Sequence, residues 1–327
     1  MSVTVQKAKE RVRNLAAGLS EVFIGRENII RTMVTATVAR EPLLFVGPPG
    51  TAKSLLISSF CKSIGVVEGD YFEYMLTRYS DPSEILGPVD IGQLKEGNYV
   101  RRVSGQMPEA KIAFLDEIFK ANSAILNVLL TLINERKFYQ DGRPVSVPLR
   151  MLFAASNEIP TFGEFDALKD RFILKVETRP VQNERFWDLI QVGFSLDAKG
   201  DYYQKLQSLS ALGAGIEDFD VLNDYLKGTI LARAASEEAN PFGNEEMSRL
   251  FRSLISMIQE DEKISVTDRK VIKLAKLILT DALIFNADEQ VDMSSFHLMA
   301  YAGNNFSEIR RLEMQVKERL AGIGSAV

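Results

Sequence analysis

Gly47-Pro48-Pro49-Gly50-Thr51-Ala52-Lys53-Ser54 lies between two apolar runs, Leu43-Leu44-Phe45-Val46 before it and Leu55-Leu56-Ile57 after it. The order reads as strand, glycine-containing turn, helix, which is the context a phosphate-binding loop requires. Backbone N–H groups at a helix start have no intrahelical acceptor and point outward, so one phosphate can accept from several of them. Lys53 would bring a compact positive charge to the β- and γ-phosphates, and the Ser54 hydroxyl is suited to ligate Mg²⁺. One position departs from the general pattern G-x-x-x-x-G-K-[ST]: Ala52 stands where glycine is usual. The loop tolerates alanine if that residue takes the negative φ of a helix start, and this is the conformation expected of it. A plain Gly-Pro turn is the alternative for the segment in isolation.

Working outward, Lys111-Ile112-Ala113-Phe114-Leu115-Asp116-Glu117 is an apolar run ending in two carboxylates. It describes a buried parallel strand with an acidic C-terminal tip, the edge at which open α/β sheets bind ligands. Asp116 would hold Mg²⁺, partly through water, and Glu117 would polarise an attacking water. Leu149-Arg150-Met151-Leu152-Phe153-Ala154-Ala155-Ser156-Asn157 is a second such strand. Its terminal Asn157 could hydrogen-bond a γ-phosphate or the lytic water, although a lone asparagine there is more often a turn residue. Tyr71 to Leu76 and Ile173-Leu174-Lys175-Val176 complete five strands, the last preceded by Arg171 at a helix-to-strand junction. Alone, such an arginine is a salt-bridge partner; only a ring assembly would give it a catalytic role.

Around this α/β half the pattern is helical. Residues 5–22 and 27–39 read as helices joined by the turn at Ile24-Gly25-Arg26, and residues 124–135 as another, with Ser123 as the expected N-cap. Residues 80–110, broken repeatedly by glycine and proline, read as a functional insertion. Asp141-Gly142 between β-prone runs signals a hairpin over 136–148. From about residue 185 the strands stop. The chain is expected to divide into an α/β nucleotide-binding subdomain over 1–185 and an all-α lid over 186–327, with weak breaks at 193–200 and 240–243. The clearest late helix runs from Asp268 to Phe285 and carries Arg269 in its first turn, where the helix dipole disfavours a cation unless an anion sits nearby. A last amphipathic helix covers 307–320.

Composition narrows the chemistry. The 327 residues contain one cysteine, Cys61, and one histidine, His297, which excludes disulfide frameworks, zinc clusters and Cys/His nucleophile pairs. Both read as structural. No uncharged apolar stretch is long enough to span a bilayer and no signal peptide precedes the first helix, so a cytoplasmic protein is expected. A formal net charge of −5 argues mildly against a dedicated nucleic-acid binder.

Taken together, the order of P-loop, acidic strand tip, asparagine strand tip, pre-strand arginine and helical C-terminal half resembles an AAA+ ATPase. The wording of Gly47–Ser54, Phe114-Leu-Asp-Glu117, Ile133-Asn-Glu-Arg136, Ala155-Ser-Asn-Glu158 and Leu168-Lys-Asp-Arg-Phe172 resembles the MoxR family of that class. Tyr74-Met-Leu-Thr-Arg-Tyr79, Pro108-Glu-Ala110 and Thr267-Asp-Arg269 are similar to its regulatory ATPase variant A branch. The resemblance is strong over roughly residues 20–180, fainter over 260–315 and slight between 190 and 260.

It implies an AAA+ P-loop fold with a five-stranded parallel sheet, ATP as substrate and Mg²⁺ as cofactor. It assigns Gly47 to Leu55, with Ile24 and Gly25, to nucleotide binding, and Ser54 and Asp116 to the metal. Glu117, Asn157 as sensor 1, Arg171 as a finger reaching the neighbouring subunit, and Arg269 as sensor 2 become catalytic. The 80–110 stretch would be the helix-2 insertion and 136–148 the pre-sensor-1 hairpin. Such proteins form homo-oligomers, typically hexameric rings, and act with von Willebrand factor A-domain partners as chaperones for assembly or cofactor maturation. The client is unknown. Two rival functions are a nucleic-acid motor, disfavoured by the mixed charges of Asp90, Glu96 and Asp141 among the basic residues of the two inserts, and a nucleotide-gated scaffold, disfavoured by Glu117.

Overall fold

A computed structural model of the chain describes residues 3–161, 163–181, 185–198, 208–235, 240, 242–261 and 264–324. Parts of the expected breaks at 193–200 and 240–243 lie outside these residues. Five strands, β1 (Leu43–Val46), β2 (Tyr71–Met75), β3 (Ile112–Asp116), β6 (Met151–Ser156) and β7 (Leu174–Glu177), form one parallel sheet in the order β2-β3-β6-β1-β7. The other two, β4 (Lys137–Gln140) and β5 (Arg143–Ser146), make the separate antiparallel hairpin. Asp141 and Gly142 turn it at φ 49° and 70°, the left-handed pair that a two-residue hairpin loop favours.

Side chains alternate across the sheet, so each strand feeds two cores. Leu43 and Phe45 face one apolar cluster while Leu44 and Val46 face the other. The first core holds α1 (Val3–Val22), α2 (Glu27–Ala39) and α3 (Lys53–Ser63). The second holds α6 (Ser123–Glu135) and α7 (Asp166–Arg171), with α4 (Pro82–Leu86) and α5 (Ile91–Lys95) in the loop-rich segment before β3. Helix α6 is capped by Asn122, whose Oδ1 accepts from Ile125 N at 3.1 Å, and not by Ser123 as the sequence implied; Ser123 is the first helical residue. The two candidates are adjacent, and a serine–asparagine choice one residue apart is not resolved by propensity.

After α8 (Phe186–Ala198) the described chain is helical throughout: α9 (Ile216–Ala234), α10 (Glu245–Ser256), α11 (Asp268–Phe285), a 3₁₀ stretch (Met293–Ala302) and α12 (Phe306–Gly324). These helices share one continuous apolar core with α1 to α3 and one face of the sheet. Buried charges pin them there. Asp281 on α11 is fully buried and accepts from Arg31 Nε at 2.8 Å and Nη2 at 2.6 Å, and from Thr35 Oγ1 at 3.3 Å. Glu41 pairs with Lys273 at 2.7 Å and Lys276 at 2.9 Å. Cys61 is buried in the core, where burial pushes its thiol pKa up. The His297 Nδ1 meets the Ser294 carbonyl at 2.9 Å, and burial lowers the ring's pKa. Among the described residues no helix is long and apolar enough to cross a membrane.

Candidate active site

The strand register aligns the tips. Val46 pairs with Ser156 on one side and Glu177 on the other, and β3 lies next to β6. Gly47, Asp116 and Asn157 therefore leave the sheet side by side at its C-terminal edge. The chain moves outward from β1 to β2, returns through β3 and β6, and ends beyond β1 at β7. The loop thus sits at a topological switch point, where open α/β sheets bind ligands.

Gly47 must be glycine for two reasons. Its φ is 158°, and a Cβ there would meet the Thr178 carbonyl oxygen at 2.2 Å. Gly50 lies at φ 81°, in the left-handed region, with open space where a Cβ would stand. Thr51 Oγ1 donates to the Pro48 carbonyl at 2.9 Å and meets Thr178 Oγ1 at 3.0 Å, fixing the loop against the residue that follows β7. Ala52 does not take the expected negative φ: it lies at 61°, in the left-handed region, as N-cap of α3. The turn of the loop demands that conformation, and alanine pays roughly 1–2 kcal/mol for it where glycine would not.

Lys53 is buried. Its Nζ donates to the carbonyls of Gly47 at 2.6 Å and Pro48 at 3.1 Å and to Asn157 Oδ1 at 3.3 Å. Burial lowers its pKa, while Asp116 and Glu117 act to raise it. Ser54 Oγ lies 3.3 Å from Asp116 Oδ2, so hydroxyl and carboxylate already converge. Glu117 is buried at φ 54°, its backbone N–H donating to Asp116 Oδ1 at 2.8 Å. Its Oε1 accepts from Asn157 Nδ2 at 2.5 Å and lies 3.6 Å from Lys120 Nζ. Loop lysine, serine, both carboxylates and the asparagine form one connected constellation.

Beside it opens a cavity of about 430 Å³, lined by Ile24, Thr51, Ala52, Leu55, Val181 and Leu189 among others. Gly25 sits next to this space at φ 67°, where a Cβ would approach Val181 at 3.0 Å. Sequence reasoning missed Arg26, Thr178, Val181 and Lys120. Arg26 is buried, with Nη2 donating to the carbonyls of Arg179 at 2.7 Å and Thr51 at 3.3 Å, and burial lowers its pKa. Thr178 was findable by the rule that located Asn157, since it follows β7 as Asn157 follows β6. The others depend on segments distant in sequence.

Two predicted residues stand apart. Arg171 precedes β7, at the opposite end of that strand from the loop, a span of up to roughly 20 Å at about 3.3 Å per residue. Its Nη1 pairs with Asp170 at 2.8 Å, and its Nε is buried without a partner. Arg269 is exposed in the first turn of α11. The next residue, Lys270, bonds Asn304 Oδ1 at 3.2 Å and feels the charges of Asp170 and Glu308, which places this helix start on the Arg171 side. Among the described residues no hydrogen bond or ion pair joins Arg171 or Arg269 to the loop constellation.

The group that fits the constellation is a nucleotide polyphosphate with a hard cation. A buried ammonium satisfied only by carbonyls and an amide suits an anion, and a hydroxyl beside a carboxylate suits Mg²⁺. No cluster of three or more His, Cys, Asp or Glu side chains for a metal occurs among the described residues. A metal completed by phosphate oxygens needs none.

A model of the MoxR domain in the MoxR-vWA-beta-propeller ternary systems matches residues 10–213. An uncharacterized protein of Methanocaldococcus jannaschii is 33% identical over 290 residues, 86% of this chain and 68% of its own length. The chaperone MoxR1 of Mycobacterium tuberculosis is 25% identical over 164 residues, 48% of this chain. This match covers 41% of that chaperone's length. The crystal structure of an ATPase candidate from Cytophaga hutchinsonii has the same fold, with a TM-score of 0.70 over 96% of both chains at 14% identity.

Proposed function

Because this chain belongs to the MoxR family, we propose that it is a Mg-ATP-hydrolysing, ring-forming ATPase that remodels or matures protein complexes together with a von Willebrand factor A-domain partner. The observation that carries the reading is the convergence of Lys53, Ser54, Asp116, Glu117 and Asn157 at one sheet edge. The vWA partner rests on the systems from which the matched family model is drawn. The motif wording leans instead toward the regulatory ATPase variant A branch, and the cytoplasm suits either setting.

Phosphoryl transfer asks a protein for positioning and electrostatics rather than covalent chemistry. The loop N–H groups and Lys53 hold the phosphates, with Ser54 and Asp116 as ligands of Mg²⁺. When bound, Mg²⁺ neutralises charge on the β- and γ-oxygens. Glu117 is the only carboxylate of the constellation held by an amide and not committed to Ser54, so it orients the water and takes its proton. Asn157, now bridging Lys53 and Glu117, is placed to hold the γ-phosphate and that water in register. The cavity beside Leu55 and Ile24 takes the base. Arg171, too far to serve its own loop, completes the site of an adjacent copy; the helical half from 186 acts as the lid.

The division of roles is tested by two variants. Lys53→Ala should lose ATP binding, because it deletes the phosphate countercharge. Glu117→Gln should keep ATP bound while turnover nearly stops. Equal loss of nucleotide affinity in both would refute the assignment. ATP turnover stimulated by DNA or RNA in a salt-dependent manner would favour a nucleic-acid motor instead.

A further inference from the structure

Strand β7 ends at Glu177, paired with Val46 of β1, and the residues Glu177, Thr178 and Arg179 touch both the phosphate-binding loop and helix α12. Thr178 serves the loop. Its N–H donates to the Val46 carbonyl at 2.7 Å, its carbonyl oxygen crowds Gly47, and its hydroxyl meets that of Thr51. The residues on either side of it serve α12. Glu177 accepts from Nη2 of Arg310 at 2.5 Å and from its Nε at 3.0 Å and 3.1 Å. Arg179 donates from Nε to Glu177 at 2.8 Å and from Nη2 to Glu313 at 2.9 Å. The Arg179 carbonyl accepts from Arg26 Nη2, the nitrogen that also reaches the Thr51 carbonyl. Two short routes therefore join Thr51 to α12. One runs through Thr178 and Glu177 to Arg310, the other through Arg26 and Arg179 to Glu313.

We propose that Glu177 is a positioning residue of the nucleotide site, and that Arg310 of α12, by holding its carboxylate, sets how tightly the loop binds ATP; this role rests on reading Gly47–Ser54 as an ATP-binding loop. A cradle made of backbone N–H groups works only while the loop keeps its shape, and that shape depends on the side chains locked behind it. The Glu177 side chain is 6% exposed. Burial alone would raise its pKa, but the hydrogen bonds from Arg310 and Arg179 hold it below the ordinary carboxylate value. A carboxylate taken out of water and then paired adds little net stability, because desolvation offsets the attraction. The Arg310 fork supplies direction instead. Two nitrogens on two oxygens fix the carboxylate in one plane, and with it the path of the chain into Thr178.

The full chain and its variants are titrated with a non-hydrolysable ATP analogue and Mg²⁺, and urea unfolding is followed on the same samples. Arg310→Ala and Glu177→Gln should each raise the dissociation constant about fivefold or more, the lower end of ordinary coupling between sites. In the double variant the two effects should not add, since each breaks the same contact. Asp281→Ala is the control: Asp281 bonds Arg31 and Thr35 on α2 rather than the loop or β7. It should lower stability and leave the dissociation constant unchanged. Wild-type affinity in Arg310→Ala overturns the proposal and leaves the ATP site intact. So does a dissociation constant that rises in step with lost stability in all three single variants, which would make the junction merely structural. A wild-type chain that binds no analogue overturns the reading of the loop itself, and the proposal with it.

Discussion

Ala52 holds φ 61° in a loop whose other special positions are glycines. Glycine in its place relieves roughly 1–2 kcal/mol of left-handed strain and gives back about 0.5–1 kcal/mol through unfolded-chain entropy. Ala52→Gly should therefore leave thermal stability equal or raised by up to about 1 kcal/mol, with ATP binding retained. A clear loss of stability on calorimetry would mean that the Cβ makes a contact worth more than the strain. Lys175 is a second residue whose cost is visible. It is fully buried on β7 and its Nζ has no hydrogen-bond partner. Burial drives its pKa well below the ordinary lysine value; Lys270 and Lys169 push the same way, and Asp170 and Glu308 oppose them. The folded state then binds fewer protons than the unfolded one, so stability is greatest above the unfolded lysine pKa and is lost as pH falls through the depressed folded value. Lys175→Met should raise stability near neutral pH by about 1–3 kcal/mol. It should also flatten the rise on the alkaline side. Urea unfolding of both proteins across neutral and alkaline pH checks it; a less stable methionine variant would show that the amine has a structural role.

At the scale of elements, the buried carboxylate of Asp281 fastens α11 to α2 by accepting from Nε and Nη2 of Arg31. Removing one partner of a buried pair is costly, so Asp281→Ala should destabilise the chain by about 3 kcal/mol. A change below about 1 kcal/mol in chemical denaturation would show that the apolar core alone holds the helix. Four of the five parallel strands were legible because each is a buried run ending in a polar or glycine tip, and tips of neighbouring strands must converge; β2, with Glu73 exposed at its centre, showed instead through its aromatic residues. The hairpin was legible from Asp141-Gly142. What the sequence did not contain was the junction between halves. Arg31–Asp281, Lys9–Glu289 and Glu41 with Lys273 and Lys276 join residues hundreds of positions apart, and no local periodicity encodes such partners. The conformation of Ala52 was hidden for a different reason, since alanine is compatible with either sign of reasoning about a helix start until the loop's path is known. The clamp between the insertion and the hairpin was equally unreadable: Asp141 N donates to the Tyr99 carbonyl at 2.9 Å and its Oδ1 accepts from Tyr99 N at 3.1 Å.

For the whole molecule, the groups proposed to hold a polyphosphate converge at one sheet edge, and the arginine proposed to stabilise developing charge lies at the other end of β7. Such a finger is worth roughly 10³–10⁵ in rate. Arg171→Ala should accordingly bind ATP almost as well as wild type and hydrolyse it very slowly. Lysine should not rescue it, because a point charge on a flexible stem does not reproduce the planar fork. Wild-type activity per chain should rise with protein concentration as copies assemble. The most direct measurement mixes Arg171→Ala, which keeps an intact phosphate site, with Lys53→Ala, which keeps an intact finger, and follows phosphate release. Completion of the site in trans predicts that the mixture recovers part of the wild-type rate while neither variant alone shows it. A mixture that stays inactive although mixed assemblies form, or wild-type monomers that hydrolyse ATP at the full rate when dilute, would contradict it.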